Sequence, residues 1–125
     1  MSGLTLDAGG LIALDRNDRR VVVLLARAQE TSARVTVPAP ALAQAMRNPA
    51  QQARLSRLIR QPGTDVVPLD RVDATQVGRL LAAASTSDVV DAHVVICARR
   101  AGQAVVTSDP DDLRRLDGTL DIVPL

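Results

Sequence analysis

Three aspartates lie next to or within apolar segments, where a carboxylate is unusual. Asp7 and Asp109 each follow an apolar, strand-like run, and Asp91 lies within the largely apolar segment 89–98. Carboxylates are rarely buried without a partner, and several that meet repel one another unless a cation balances them. Clustered carboxylate oxygens suit a hard ion, Mg²⁺ or Mn²⁺. Because such an ion polarises a phosphate and activates water, the candidate chemistry is metal-assisted phosphodiester hydrolysis.

Each of these acidic residues also has a structural interpretation. Asp7 precedes Ala-Gly-Gly and could equally serve as a helix N-cap. Asp88 is expected to cap the helix that contains Asp91. For Asp91 itself, the structural alternatives are an ion pair with an arginine or a hydrogen bond with an N-terminal amide. Asp111 and Asp112 fall in a first helical turn, where acidic side chains complement the helix dipole.

The elements that must position these residues alternate between short strands and longer helices. Strands are predicted at 4–6, 34–37, 65–69, 104–107 and 121–125. Helices are predicted at about 8–14, 17–31, 38–47, 49–60 and 88–101. Two more helices are predicted to begin after the cap Asp70 and after Asp109. This order predicts an α/β fold, a three-layer α/β/α sandwich with a mainly parallel sheet. Ligands of such folds lie beyond the carboxyl ends of the strands. A chain of 125 residues is expected to form one domain over residues 1–125.

The second helix has an inward-facing stripe and an apolar surplus. The stripe consists of Val21, Leu24, Leu25 and Ala28, whereas Val22 and Val23 fall outside it. These two valines predict either a covered surface, from a partner helix or a dimer mate, or additional core.

The composition excludes several classes of site. All 15 basic residues are arginine, so no lysine can form a P-loop contact or a Schiff base, and the lack of aromatic residues excludes base stacking on aromatic platforms. A net charge of +1 does not by itself indicate a polyanionic partner. One cysteine, no signal-like segment and no long apolar span favour a reducing, cytoplasmic location.

At the acidic residues the sequence resembles the PIN-domain family, specifically the VapC-type toxins of bacterial type II toxin–antitoxin systems. The resemblance covers nearly the whole chain and rests on the order and spacing of three segments, 6–14 (LDAGGLIAL), 88–93 (DVVDAH) and 105–113 (VVTSDPDDL). It implies a small, often dimeric, Mg²⁺-dependent endoribonuclease. Such an enzyme cleaves structured RNA, for example tRNA or rRNA, and a cognate antitoxin silences it.

The resemblance also implies roles for individual residues. Asp7, Asp91 and Asp109 match three of the family's acidic metal ligands. The supporting residues that it implies are Asp88, Ser108 and Asp112.

One position departs from the family's pattern. The family usually has a glutamate on the helix after the second strand, and the matching residue here is Gln44. An amide still offers an oxygen, but it brings no charge to a metal and cannot act as a base. Gln44 is therefore either a weak ligand or water-positioning group of the catalytic site, or a polar residue with a structural role only.

Other residues carry less specific signals. His93 and Cys97 would share a helical face, but two ligands without a second pair do not make a zinc site, so an ordinary histidine and a buried thiol are favoured. Arginines that could contact phosphates, although most are expected to be solvated, lie at positions 47, 54, 57, 60, 99, 100, 114 and 115.

Two other functions compete with the nuclease hypothesis. The first is a PIN-like protein that has lost turnover through Gln44 and only binds RNA or an antitoxin. The second is a phosphoacceptor receiver domain, which is disfavoured because its usual lysine is missing.

Overall fold

A computed structural model describes residues 3–125 of the chain. The strands are β1 (Leu4–Leu6), β2 (Val35–Pro38), β3 (Thr64–Val67), β4 (Ala104–Thr107) and β5 (Ile122–Pro124). The α-helices are α1 (Ala8–Asp15), α2 (Arg19–Glu30), α3 (Ala39–Ala45), α4 (Ala53–Leu58), α5 (Arg71–Ala84), α6 (Val89–Ala101) and α7 (Pro110–Leu116). The predicted strands are confirmed, with boundaries that differ by one or two residues.

The strands of residues 3–125 form one sheet in the order β3-β2-β1-β4-β5, and every neighbouring pair is parallel. The chain runs outward from β1 to β3 and then crosses to β4 and β5 on the other side. Because parallel crossovers are right-handed, helices before and after β3 cover opposite faces. Helix α1 accordingly packs against α2 and α4, and α6 packs against α5 and α7. This arrangement confirms the predicted three-layer α/β/α sandwich.

Helices on both faces explain why the central strands are buried. Every residue of β1 and β2 is buried, as expected for parallel strands that are covered on both sides. Leu11 of α1 and Leu113 of α7 are also fully buried. Each such leucine stabilises the fold by about 1.5–3 kcal/mol.

The second helix confirms the predicted division of its surface. Val21 and Ala28 are fully buried, and Leu24 and Leu25 are half-buried and pack against the core. Val22 and Val23, by contrast, are 37% and 45% exposed. The two valines therefore face outward from α2.

The helix predicted at 49–60 is interrupted in the structure. Pro49–Gln51 forms a single 3₁₀ turn, and α4 begins only at Ala53. The buried side chain of Gln52 explains the break, because its oxygen accepts hydrogen bonds from the backbone N–H groups of Arg47 (2.7 Å) and Asn48 (2.8 Å). Sequence periodicity cannot reveal a side chain that replaces backbone partners in this way.

A helix that spans a membrane must be long enough and must have a high mean hydropathy. Within residues 3–125 no single helix meets both requirements, and α5 and α6 meet them only as a pair that is bent by 111°.

Candidate functional site

The sheet topology brings the ends of β1 and β4 together. The chain reverses its direction of progress across the sheet between these two strands, and ligands of open α/β sheets bind at such a switch point. Asp7 directly follows β1, and Asp109 follows β4 after one intervening residue. The Asp7 N–H donates to the carbonyl of Val106 at 3.4 Å, which extends the pairing of the two strands beyond Leu6.

Asp7 is both a helix cap and a buried charge. Its Oδ1 accepts a hydrogen bond from the Gly10 N–H at 2.7 Å, and its carboxyl also hydrogen-bonds the side chain of Thr107. The residue is only 5% exposed. Burial raises the pKa of Asp7 by more than these hydrogen bonds lower it, and the nearby Asp109 adds repulsion. Capping and function are therefore compatible, because one oxygen caps α1 while the charge faces other carboxylates.

Asp91 lies in the first turn of α6. Asp88 caps this helix by accepting a hydrogen bond from the Asp91 N–H at 3.0 Å, as predicted. The Asp91 side chain is half-buried. Burial, followed by repulsion from Asp88 and Asp7, raises the pKa of Asp91 to about 7. The charged form of Asp91 is thus disfavoured by its surroundings.

Asp109 is exposed at the start of α7. Its backbone N–H donates to the Thr107 hydroxyl oxygen at 2.9 Å, which ties it to the end of β4. A side-chain hydrogen bond with Asp112 raises the pKa of Asp109, and burial and the charges of Asp112 and Asp111 act in the same direction. Carboxylates from three separate elements therefore interact electrostatically at one edge of the sheet.

A cavity of about 350 Å³ opens beside these carboxylates. Its wall includes Asp88, Asp91 and Asp112, with the single cation Arg115, which pairs with Asp112 at 3.4 Å. Within residues 3–125 no arginine forms an ion pair with Asp7, Asp91 or Asp109. The arginine-pair alternative for Asp91 is therefore wrong, and the repulsion among these carboxylates is not balanced by the described part of the chain.

Two glycines allow helix α1 to approach the end of β4. A Cβ on Gly10 would lie 2.6 Å from the carbonyl oxygen of Val106, and a Cβ on Gly9 would lie 2.2 Å from the Ser108 hydroxyl. Contacts this short are not tolerated, so only glycine permits the close packing. Ser108 therefore lies against α1, between the strand end and Asp109.

Gln44 lies in the last turn of α3, and its side chain is exposed. Helix α3 packs against both α1, which Asp7 caps, and α6, which carries Asp91. Gln44 is thus carried by a helix that adjoins the acidic site.

The donor set fits a hard divalent ion. Carboxylate oxygens are the preferred ligands of Mg²⁺ and Mn²⁺, and the raised pKa of Asp91 reports an excess of negative charge that such an ion would neutralise. Asp7 and Asp91 are the buried and half-buried members of the set, and Asp109 is its solvent-facing member.

A second polar cluster, which sequence reasoning missed, joins α5 to α6. Nε2 of His93 lies 2.9 Å from Oδ2 of Asp73, and the other Asp73 oxygen accepts a hydrogen bond from Arg100. His93 is fully buried and Asp73 is 2% exposed. Burial alone would raise the pKa of Asp73, but the bonds to His93 and Arg100 outweigh it, so the pKa is lowered. The sequence does contain a signal that Asp73 faces inward, because Asp73 stands four residues before the buried Val77 and so lies on the same face of α5.

Cys97 adds a third metal-ligating group to this cluster. One donor atom each from Asp73, His93 and Cys97 lie within 4.8 Å of one another. Both Asp73 oxygens are already hydrogen-bonded, however, and burial raises the pKa of the Cys97 thiol to about 11, which keeps it protonated. Because both Asp73 oxygens and Nε2 of His93 already bond within the fold, we interpret the cluster as a buried link between two helices.

Comparisons with known proteins agree with this fold. The family model described as PIN domain matches residues 5–119. The structure is also similar to a solved structure described as FitAB bound to an IR36 DNA fragment, with a TM-score of 0.65 and 15% identity over 97% of this chain and 94% of the other. At that identity the likeness concerns the fold alone. No protein of curated function matches the sequence.

Proposed function

Because the chain belongs to the PIN-domain family, we propose that it is a Mg²⁺- or Mn²⁺-dependent endoribonuclease that acts as the toxin of a toxin–antitoxin pair. One observation carries the proposal. Asp7, Asp91 and Asp109 come from three separate elements, lie close enough to repel one another, and form no ion pair with an arginine within residues 3–125. Such repulsion lowers the stability of the fold, and a bound cation would relieve it.

The proposed metal ligands are Asp7, Asp91 and Asp109. A bound Mg²⁺ would supply Lewis acidity toward a phosphate oxygen and would lower the pKa of water. The chain's own part is to hold its ligands in place before substrate arrives. Hydrogen bonds from Gly10 and Thr107 fix the orientation of Asp7, so little reorganisation of this side chain accompanies ion binding.

Supporting roles are proposed for three neighbouring residues. Asp88 fixes the first turn of α6 and adds negative charge beside Asp91. Asp112 hydrogen-bonds Asp109, and Ser108 packs against α1 next to it. Each residue thus positions or polarises a proposed ligand.

The partners follow from the same assignment. RNA is the proposed substrate, and we propose a cognate antitoxin as the inhibitor and a homodimer as the working form. We further propose that residues 1–125 form one PIN-like domain and that the protein works in the cytoplasm, where its single thiol stays reduced.

A matched pair of cap substitutions tests the nuclease proposal. Asp7 and Asp70 both cap helices by accepting from the amide three residues later, at 2.7 Å and 2.9 Å. Asparagine caps a helix about as well as aspartate, so Asp7→Asn and Asp70→Asn should both fold. RNA cleavage with Mg²⁺ should fall by about 100-fold or more in Asp7→Asn and remain unchanged in Asp70→Asn. Chelator should abolish cleavage by the wild type.

Absence of metal-dependent RNA cleavage by the wild type would reject the proposal. Equal activity of Asp7→Asn and the wild type would reject the role of Asp7.

A second candidate is a PIN-like protein that binds RNA or antitoxin without turnover. The neutral, exposed Gln44 on the helix next to the site favours this alternative. Gln44→Glu separates the two functions, because cleavage that appears only in the variant would identify a binding protein that has lost activity.

A further inference from the structure

Two neighbouring cavities lead away from the acidic site along α2. The first, of about 390 Å³, is bounded at one end by Gly9 and Ser108. The second, of about 500 Å³, lies between α2 and the C-terminal strand. Arg20 and Leu125 line both cavities, so the two are continuous. We call this surface the arginine groove; its basic residues are Arg16, Arg19, Arg20 and Arg27.

The groove begins at the proposed ligands. Gly9 lies in the first turn of the helix that Asp7 caps, and Ser108 directly precedes Asp109. One end of the groove is therefore bordered by residues that neighbour two of the proposed ligands.

The charge of the groove is opposite to that of the acidic cavity. Four arginines line it against one acidic residue, Asp18, and Asp18 is already paired with Arg20 at 3.0 Å. Within residues 3–125, Arg16, Arg19 and Arg27 make no ion pair. Their charges are therefore available to an incoming anion.

The shape of the groove suits an extended strand. Residues 20 and 27 on α2 are separated by about 10 Å along the helix axis, so the groove offers cations over more than one phosphate spacing. Its floor is apolar and includes Val23, Leu24 and Val123. Aliphatic side chains of this kind can pack against sugars and base faces, and the arginines can stack in a protein that has no aromatic residues.

We propose that the arginine groove binds the single-stranded RNA segment on one side of the scissile phosphate, with Arg16 and Arg19 contacting its phosphates. This inference rests on the proposed nuclease function. The cavity beside Asp91 has three acidic residues, Asp88, Asp91 and Asp112, and one cation, whereas the groove has four arginines and one acidic residue, so a strand that leaves the metal site is favoured in the groove. The difference in charge between the two surfaces thus sets the path of the substrate.

The test compares two double substitutions of exposed arginines. Arg16→Ala/Arg19→Ala changes the groove. The matched control is Arg54→Ala/Arg57→Ala. The sequence also offers these two arginines as possible phosphate contacts, but they line a different cavity, of about 300 Å³, and the groove proposal gives them no phosphate. All four arginines are exposed, so both variants should keep their stability within about 0.5 kcal/mol.

Binding of a fluorescent single-stranded RNA oligonucleotide is measured with chelator at several salt concentrations. Each lost phosphate contact should reduce the slope of log K against log salt by about 0.7, so the groove variant should lose about 1.4 and the control nothing. In cleavage assays with Mg²⁺ the groove variant should show a raised KM with kcat little changed.

Equal slopes for the groove variant and the wild type would overturn the inference, as would equal losses in the groove and control variants. If the groove variant keeps its RNA slope but loses a copurifying protein partner, the groove is a protein-docking site and the inference is wrong. Because binding is measured without metal, a wild type that binds RNA but does not cut it would reject the nuclease proposal alone.

Discussion

Replacing Asp91 by asparagine should stabilise the metal-free protein. Burial and the charges of Asp88 and Asp7 raise the pKa of Asp91 to about 7, whereas an unfolded aspartate titrates near 3.8. This difference corresponds to at most about 4 kcal/mol, and screening by solvent at a half-buried carboxyl reduces the expected gain to about 1–2 kcal/mol. Asparagine keeps the shape of the side chain and removes the charge.

The gain should depend on pH in a defined direction. Below about pH 4 Asp91 is protonated in both the folded and the unfolded state, so it contributes no difference. Between about pH 4 and 7 the unfolded state loses its proton while the folded state retains it, and the wild type loses stability relative to Asp91→Asn. The advantage of the variant should therefore grow over this range and level off above about pH 7.

Urea unfolding with chelator, at about pH 4 and about pH 8, measures this effect. Asp121→Asn, which changes an exposed aspartate just before β5, is the control and should alter the free energy of unfolding by less than about 0.5 kcal/mol. Adding Mg²⁺ should stabilise the wild type more than Asp91→Asn, because a ligand stabilises the state that binds it. A variant that is less stable than the wild type at about pH 8 with chelator would refute the argument from repulsion.

Further substitutions probe three other parts of the structure. Gly10→Ala should destabilise the fold by about 1–3 kcal/mol in urea unfolding, because its Cβ would meet the Val106 carbonyl at 2.6 Å. Gly78→Ala is the matched control: it has open space around it and should stabilise α5 by about 0.5–1 kcal/mol. Asp73→Asn should cost about 2–3 kcal/mol in the same assay, since it removes the charged acceptor that Arg100 and the buried His93 share; an unchanged midpoint would contradict that role. Gln44→Glu should raise Mg²⁺ affinity by about 10-fold in calorimetry if α3 contributes to the site, and unaltered affinity would exclude Gln44 from it.

The sequence was sufficient for the fold and for the meeting of strand ends. Asp7 and Asp109 each follow an apolar run, and parallel strands end at one edge of the sheet, so the alternation of elements alone predicts their proximity. The break before α4 was not predictable, because it depends on hydrogen bonds made by the Gln52 side chain after the chain has folded. Periodicity reports which residues face inward and does not report which polar groups they meet.

Asp73 and Asp91 show where sequence reasoning reaches its limit. Each lies in the first turn of a helix on the same face of the sheet, three residues after a capping aspartate, so the local sequence signals are nearly equal. Their surroundings are opposite: His93 and Arg100 lower the pKa of Asp73, while burial and neighbouring carboxylates raise that of Asp91.

The distinction depends on partners that are 20 and 27 residues away from Asp73 along the chain and that reach it only because α6 packs against α5. When a carboxylate bonds a positively charged group inside the fold, as Asp73 does, its contribution to stability is enough to explain its presence. One that meets only other carboxylates lowers stability, so a charge supplied from outside is needed to account for it. The partners of each carboxylate, rather than burial or position in a helix, therefore separate the structural aspartate of this protein from the proposed catalytic one.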